Sequence, residues 1–111
     1  MDRDNSYRAV VKRVLHEVAE MTPSEPNIRT EFVCDDALGH YQVGQVGWDG
    51  KRRIDDVFVH IDVVEGKVWL QHDGTDLRIA EDLMRAGIPR EHIVLAFHHP
   101  ARRVDTDFAA A

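Results

Sequence analysis

The residues whose types and spacing are best suited to catalysis or metal binding lie between positions 60 and 67. His60 and Asp62 alternate along an apolar segment and share one face of it, and Glu65-Gly66-Lys67 matches the E-x-K triplet of metal-dependent nucleases. Nuclease carboxylates normally gather around a divalent ion from separate strand positions. A Glu-Gly turn followed by lysine is also ordinary turn chemistry. The alternative hypothesis, and not the leading one, is therefore a metal-dependent nuclease or a direct DNA-binding component that uses Asp62, Glu65, Lys67 and the arginine clusters at 52–53 and 102–103.

A second motif, Asp73-Gly74-Thr75, follows an apolar segment. It resembles the phosphate loop of haloacid-dehalogenase-like phosphatases, whose nucleophilic aspartate stands two residues earlier. That position is Gln71, which cannot form an acyl-phosphate. A helix that begins with Thr75 as its N-cap explains the same residues, so the sequence does not favour a phosphatase.

The seven histidines and the single cysteine raise the question of a metal site. Neither H-x-x-x-H nor H-E-x-x-H spacing occurs, and Cys34 has no second cysteine to pair with. The sequence therefore predicts no metal site, no cofactor and no catalytic residue. Cys34 alternates with apolar residues, and we expect it to be a small buried hydrophobic residue.

A predicted β-hairpin over 57–72 carries the candidate residues. Its turn is Glu65-Gly66, because glycine takes the positive φ that such turns need. The expected cross-strand pairs are Val63–Val68, Asp62–Trp69, Ile61–Leu70 and His60–Gln71. The expected core face is Val57, Val59, Ile61, Val63, Val68 and Leu70. The opposite face is Phe58, His60, Asp62, Val64, Lys67, Trp69 and Gln71. Such a mixture of aromatic and polar side chains is typical of a partly solvent-exposed surface or of one covered by a partner.

The remaining elements are predicted from periodicity and stop signals. Apolar residues at helical spacing predict an amphipathic helix over 5–21, which Pro23 and Pro26 end. Alternation predicts strands over 27–35 and 40–48. The register at Asp49-Gly50 stays open between a two-residue hairpin, which pairs Gly47 with Arg52, and a longer loop.

The C-terminal third predicts a helix, a strand and a tail. The helix begins at Thr75 and ends at Gly87, which Pro89 follows. A wholly apolar segment over 93–97 predicts a buried last strand, and Phe108 is the only expected anchor of the tail. The predicted fold class is α+β, a mostly antiparallel sheet of about five strands with a central meander and two helices packed on one face.

Length and charge limit the function classes. At 111 residues we expect one domain, 1–111. The formal net charge of −6 weighs against simple duplex binding and favours a basic protein partner. The basic clusters Lys51-Arg52-Arg53 and Arg102-Arg103 are shorter than the Lys- and Arg-rich segments that indicate nucleic-acid binding. One cysteine, an acidic start (MDRDNSYR) and no apolar segment of about 20 residues predict a cytoplasmic protein without signal peptide or membrane span.

Four segments, in order along the chain, resemble the XisI family of cyanobacteria. They are VGWD-x-x-RR (46–53), H-I-D (60–62), G-K-x-W-x-Q-x-DGT (66–75) and G-I-P-x-x-x-I-V-L-A-F-H (87–98). The closing Phe108-Ala109 also matches. Gly44, Gln45, His72 and His99 depart from the expected family pattern.

The resemblance implies a small α+β protein without known catalytic activity. It also implies a control factor for excision of the fdxN element, a programmed DNA rearrangement linked to heterocysts. Such a factor is expected to act with XisH, a small endonuclease-like protein, and indirectly with a site-specific recombinase and DNA. We therefore expect a protein-binding regulator that contacts an XisH-like protein and associates as a homodimer. The expected partner-binding residues are Trp48, Arg52, Arg53, His60, Asp62, Trp69 and Gln71.

Overall fold

Five strands form one sheet in the order β1-β2-β3-β4-β5, and the helices flank it. The structure is a computed structural model that describes residues 3–23 and 25–111; Met1, Asp2 and Ser24, the first two part of the acidic start, lie outside the described residues. The helices are α1 (Arg3–Met21), α2 (Ile79–Arg85) and α3 (Pro100–Arg103), and the strands are β1 (Ile28–Asp35), β2 (His40–Asp49), β3 (Arg52–Val64), β4 (Lys67–Asp73) and β5 (Ile93–Leu95). β1 to β4 form an antiparallel meander, and β5 joins β4 in parallel. The α+β prediction is confirmed.

The core lies between one sheet face and the two longer helices. α1 buries an apolar stripe at helical spacing, as predicted, and α2 adds two buried residues. The sheet meets them with alternate residues of β2, β3 and β4, because period-two alternation sends those side chains to a single face. The buried contributors are Tyr7, Val11, Val14, Leu15, Val18, Ile79 and Leu83 from the helices, Tyr41, Val43, Val59, Ile61, Val63, Val68, Leu70 and Ile93 from the sheet, and Ile88 from the connection between α2 and β5. In the described part of the chain, no helix is both long and apolar enough to cross a membrane.

The β3–β4 hairpin has the predicted turn. Val64 pairs with Lys67, and Glu65 and Gly66 take φ values of 50° and 77°. Two successive positive φ values are typical of the turn type that suits hairpin twist. The pairs Val63–Val68, Asp62–Trp69 and Ile61–Leu70 are all as predicted.

Two β-bulges change the predicted faces. Between β2 and β3, Val43 pairs with Val59 and Gly44 with Val57, so Phe58 is an extra residue. An extra residue reverses the alternation beyond it. Val57, predicted in the core, is therefore exposed, while Phe58, predicted on the opposite face, packs against the core.

The second bulge lies between β3 and β4. His60 pairs with His72 and not with Gln71, because Gln71 is the extra residue here. The predicted His60–Gln71 pair was wrong for that reason. The sequence carried no sign of an extra residue, since both alternations stay regular up to this point.

The turn between β2 and β3 settles the register that the sequence left open. Asp49 pairs with Arg52 and Gly47 with Ile54. The two turn residues are therefore Gly50 and Lys51, and Gly50 has a φ of 61°. Neither predicted register, Gly47 with Arg52 or the longer loop, is the observed one.

Three expectations outside the hairpins need correction. Cys34 is exposed, because β1 is an edge strand with a neighbour on one side only. Thr75 is not the N-cap of α2, which begins at Ile79; Asp73 instead accepts hydrogen bonds from the backbone amide and the hydroxyl of Thr75, at 3.0 and 2.7 Å. Phe108 packs against the core as expected, but it is not the only anchor.

The second anchor of the tail is Arg103. Its guanidinium donates to the carbonyl oxygens of Ala96 and His98, both at 3.0 Å, and lies over the ring of Trp69, 5.7 Å from its centroid. The backbone amide of Ala109 also donates to the carbonyl of Ile93 at 2.9 Å. The C-terminal segment is therefore held against β4 and β5.

A buried tyrosine predicts an alkaline stability limit. Tyr41 is fully buried and donates a hydrogen bond to Asp36 at 2.8 Å. Burial, and then this hydrogen bond, raise the pKa of its hydroxyl above the ordinary value of about 10. Since the folded state favours protonated Tyr41, its contribution to stability is fully present below about pH 10 and is lost as the pH rises toward the folded-state pKa.

We therefore expect Tyr41→Phe to flatten the alkaline loss of stability. Urea unfolding at a series of pH values from about 7 to about 11 measures this. At neutral pH the variant should be less stable than the parent by about 1 kcal/mol, the value of one hydrogen bond. Asp36→Asn is the control, because it keeps the burial and should keep most of the alkaline loss. Equal alkaline slopes in the parent and in Tyr41→Phe would contradict the assignment.

Candidate functional site

The sheet face opposite α1 and α2, here called the outer face, carries a cluster of polar side chains near its centre. The outer-face cluster consists of His40, His60, Asp62 and Gln71. His60 Nε2 lies 2.9 Å from Asp62 Oδ1, and His40 Nδ1 is hydrogen-bonded to the same oxygen. Gln71 Nε2 donates to the other carboxylate oxygen, Oδ2, at 3.1 Å. Among the described residues, the hydrogen bonds of the Asp62 carboxylate thus run within the cluster.

The sheet places these side chains by register and alternation. His60 and Asp62 are two residues apart on β3 and share a face. His40 on β2 pairs directly with Asp62 only because the extra residue Phe58 shifts the β2–β3 register. Gln71 is itself the extra residue of β4. Both bulges therefore build the cluster, in keeping with the tendency of bulges to redirect side chains at functional sites.

Burial and charge differ within the cluster. Asp62 is buried, whereas His40 is exposed and His60 half-buried. The hydrogen bond that the His40 ring donates to the Asp62 carboxylate, and then the negative charge of Asp62, raise the pKa of His40 above the ordinary value, because both favour the imidazolium form. A buried carboxylate needs such partners, since an unpaired charge away from water is costly.

Trp69 lies beside this cluster, opposite Asp62 on β4. Its ring is half-buried and contacts Arg103 of the C-terminal segment. Trp69, which the sequence predicted to bind a partner, is therefore partly covered by the C-terminal segment of the same chain. The basic cluster Arg102-Arg103 also contributes one arginine to this internal contact.

Trp48, Arg52 and Arg53 lie at the β2–β3 turn. Arg53 lies over the ring of Trp48, 5.3 Å from its centroid, and Arg52 forms an exposed ion pair with Asp49 at 3.3 Å. Trp48 lies six residues along β2 from Gln42, the partner of His60. Six strand residues span about 20 Å. The seven predicted partner-binding residues thus form two separate groups, and Arg52, which alternates with Arg53 along β3, does not share the face of the others.

The residues of the nuclease alternative have separate environments. Asp62 is held in the outer-face cluster, Glu65 is exposed in the turn, and Lys67 Nζ donates to the carbonyl oxygen of Ala111. Asp62 and Lys67 therefore have different partners. Glu65 and Gly66 of the E-x-K triplet form the β3–β4 turn, and Lys67 is the first residue of β4.

The sequence placed His60 and Asp62 on one face but missed His40. His40 is 22 residues from Asp62 along the chain, and its position depends on the register of β2. Among the described residues, His40, His60 and Asp62 form a group whose ligand atoms lie within 4.8 Å of one another. The only available signal was a histidine at the start of a strand that pairs with β3.

Fold and site define an α+β protein with a five-stranded sheet, its two longer helices on one face and a polar cluster on the other. The XisI protein family model matches residues 1–110, and the chain belongs to this family. A search of curated proteins gave no match.

Two solved structures have the same fold over nearly the whole chain. One is a XisI-like protein from Anabaena variabilis ATCC 29413, with 37% identity and a TM-score of 0.94; the alignment covers 97% of this chain and 99% of that one. The other is the fdxN element excision controlling factor XisI from the same organism, with 32% identity and a TM-score of 0.88, covering 99% of this chain and 100% of that one.

Proposed function

We propose that this chain is a non-enzymatic control factor for excision of an fdxN-type DNA element, and that it acts by binding protein. Its partner is an XisH-like protein, and its link to the recombinase and to DNA is indirect. The family supports the excision role, since one structural relative is described as an excision controlling factor. The observation that carries the binding role is the apolar part of the outer face.

That apolar part consists of Val33, Trp48 and Val57. They belong to three adjacent strands, β1, β2 and β3, and their exposed fractions are 52%, 49% and 41%. Aromatic and apolar side chains exposed together among polar groups are typical of protein interfaces. Trp48 with Arg53 on its ring combines two residue types enriched among binding hot spots.

Charge favours the same conclusion. The chain has a formal net charge of −6. A basic protein partner gains from long-range attraction to such a surface, whereas duplex DNA is repelled by it. The interface therefore combines an apolar contact near Trp48 and Val57 with acidic surroundings.

Trp48→Ala and Val57→Lys should each weaken binding of the XisH-like protein at least tenfold. Trp48→Ala removes the largest exposed apolar ring, and Val57→Lys places a positive charge against a basic partner. Co-expression followed by size-exclusion chromatography with light scattering detects the complex and any homodimer, and titration calorimetry measures the affinity.

The matched control is Val104→Lys, the same substitution at a 69% exposed valine outside the sheet. It should bind like the parent, and urea unfolding should confirm that all variants are folded. Parent-like affinity in both outer-face variants would show that this surface is not the interface. Separate elution of the parent and the XisH-like protein would contradict the partner assignment, and salt-dependent DNA binding would then be measured first.

A further inference from the structure

We propose that His40, His60 and Asp62 form a binding site for one divalent first-row transition-metal ion, for which Zn²⁺ is the probe. The ligand atoms are His40 Nδ1, His60 Nε2 and Asp62 Oδ1. None of these ligands belongs to the proposed protein-binding surface, although Val33 borders both sites, and the proposal does not depend on the proposed function.

The ligand types and distances suit such an ion. Two imidazole nitrogens and one carboxylate oxygen are ligands that zinc and its neighbours accept. The three atoms lie within 4.8 Å of one another. With metal–ligand bonds of about 2.0–2.2 Å, two ligand atoms on a tetrahedral ion are about 3.3 Å apart. Small side-chain rotations therefore bring all three atoms to bonding distance of one ion.

The sheet holds the ligands in advance of binding. His60 and Asp62 belong to β3 and His40 to β2, with β1 and β4 flanking these strands. Paired strands fix backbone positions better than loops do. Three ligands from two paired strands thus pay little ordering entropy when an ion binds.

Gln71 is a positioning residue for this site. Its amide donates to Asp62 Oδ2 at 3.1 Å and leaves Oδ1 directed at the two histidines. Hydrogen bonds from a second layer of residues commonly orient metal-binding carboxylates, and their loss lowers affinity about 10-fold to 100-fold. Orienting the Asp62 carboxylate requires that one oxygen faces both imidazoles while an amide holds the other. Gln71 and the two histidines have this arrangement.

The site is accessible from solvent. A depression of about 350 Å³ on the outer face is lined by Val33, Asp35, His40, Gln42 and His60. Asp35 pairs with His40 across β1 and β2 and adds negative charge beside the site. Three protein ligands leave a coordination position for water or another ligand on this open side.

Titration calorimetry of Zn²⁺ into the protein without an affinity tag tests the proposal. We expect one ion per chain. Asp62→Asn and His40→Gln should each weaken binding at least tenfold, and Gln71→Ala should weaken it about 10-fold to 100-fold. At the same concentration, Zn²⁺ should raise the Tm of the parent more than the Tm of His40→Gln. Because His40 is the exposed ligand, His40→Gln is the variant that keeps the fold if Asp62→Asn does not.

The matched control is His16→Gln. On the exposed surface of α1, His16 Nδ1 lies 3.0 Å from Glu20 Oε1, so it is a histidine beside a carboxylate, and no third ligand joins them among the residues that the structure describes. This variant should bind Zn²⁺ like the parent. Absence of binding in the parent, or parent-like affinity in both His40→Gln and Asp62→Asn, would overturn the proposal and leave the cluster as a hydrogen-bonded His–Asp–His group only.

Discussion

Replacing Gly47 with alanine should destabilise the protein by about 3 kcal/mol, because no side chain fits there. A Cβ at this position would lie 2.0 Å from the carbonyl oxygen of Asn27 and 2.8 Å from the Cα of Ile28. Both atoms belong to the backbone, so a side-chain rotation cannot relieve the clash. The neighbouring Trp48 amide donates to the same Asn27 carbonyl at 2.9 Å. This hydrogen bond would be strained as the backbone segments around Asn27 and Gly47 move apart.

The control for Gly47 is Gly50→Ala. Gly50 has a positive φ of 61°, but nothing lies within 4 Å of its Cβ position. Its cost should be only that of a left-handed alanine, about 1 kcal/mol. Urea unfolding of both variants measures the difference. Similar losses in both would show that the close approach of Asn27 is not the cause.

Replacing Leu15 with alanine should also cost about 3 kcal/mol, within the range measured for buried leucines. Leu15 is fully buried in the core between α1 and the sheet. The substitution removes its apolar surface from the core and leaves a cavity that tightly packed neighbours fill incompletely. In a domain of this size, we expect the Tm to fall by roughly 10–20 °C.

The control for Leu15 is Leu38→Ala, at a 64% exposed leucine in the turn between β1 and β2. It should change the free energy of unfolding by less than about 0.5 kcal/mol. Thermal unfolding followed by circular dichroism gives both values. A loss below about 1 kcal/mol for Leu15→Ala would contradict the packing of α1 on the sheet.

Local sequence signals predicted the elements well. The stripe of α1, the Glu65-Gly66 turn and the alternation of Val59, Ile61 and Val63 on β3 each follow from neighbours within a few residues. The register near that turn follows too, because a two-residue turn fixes the pairs beside it. The XisI resemblance was carried by motifs, and the family match confirms it.

Burial at the ends and edges of elements was harder to predict. The periodicity of β1 placed Cys34 with apolar residues, but it could not show that β1 lies at the edge of the sheet. Thr75 has the right type for an N-cap, yet Asp73 holds it in a turn and α2 begins four residues later. In the sequence Arg103 is part of a short basic cluster, and its contact with Trp69 depends on how the tail folds back.

The sequence by itself determined the fold class, the family and the shared face of His60 and Asp62, because these depend on residue types at short spacing. Only the tertiary structure decided that His40 joins them, and that Gln71, expected opposite His60, donates to Asp62. Each of the two bulges adds a residue whose position depends on the pairing of separate strands. A shift of one residue in register reverses every side chain beyond it. The composition of the outer-face cluster is therefore a property of the sheet, and local sequence patterns do not contain it.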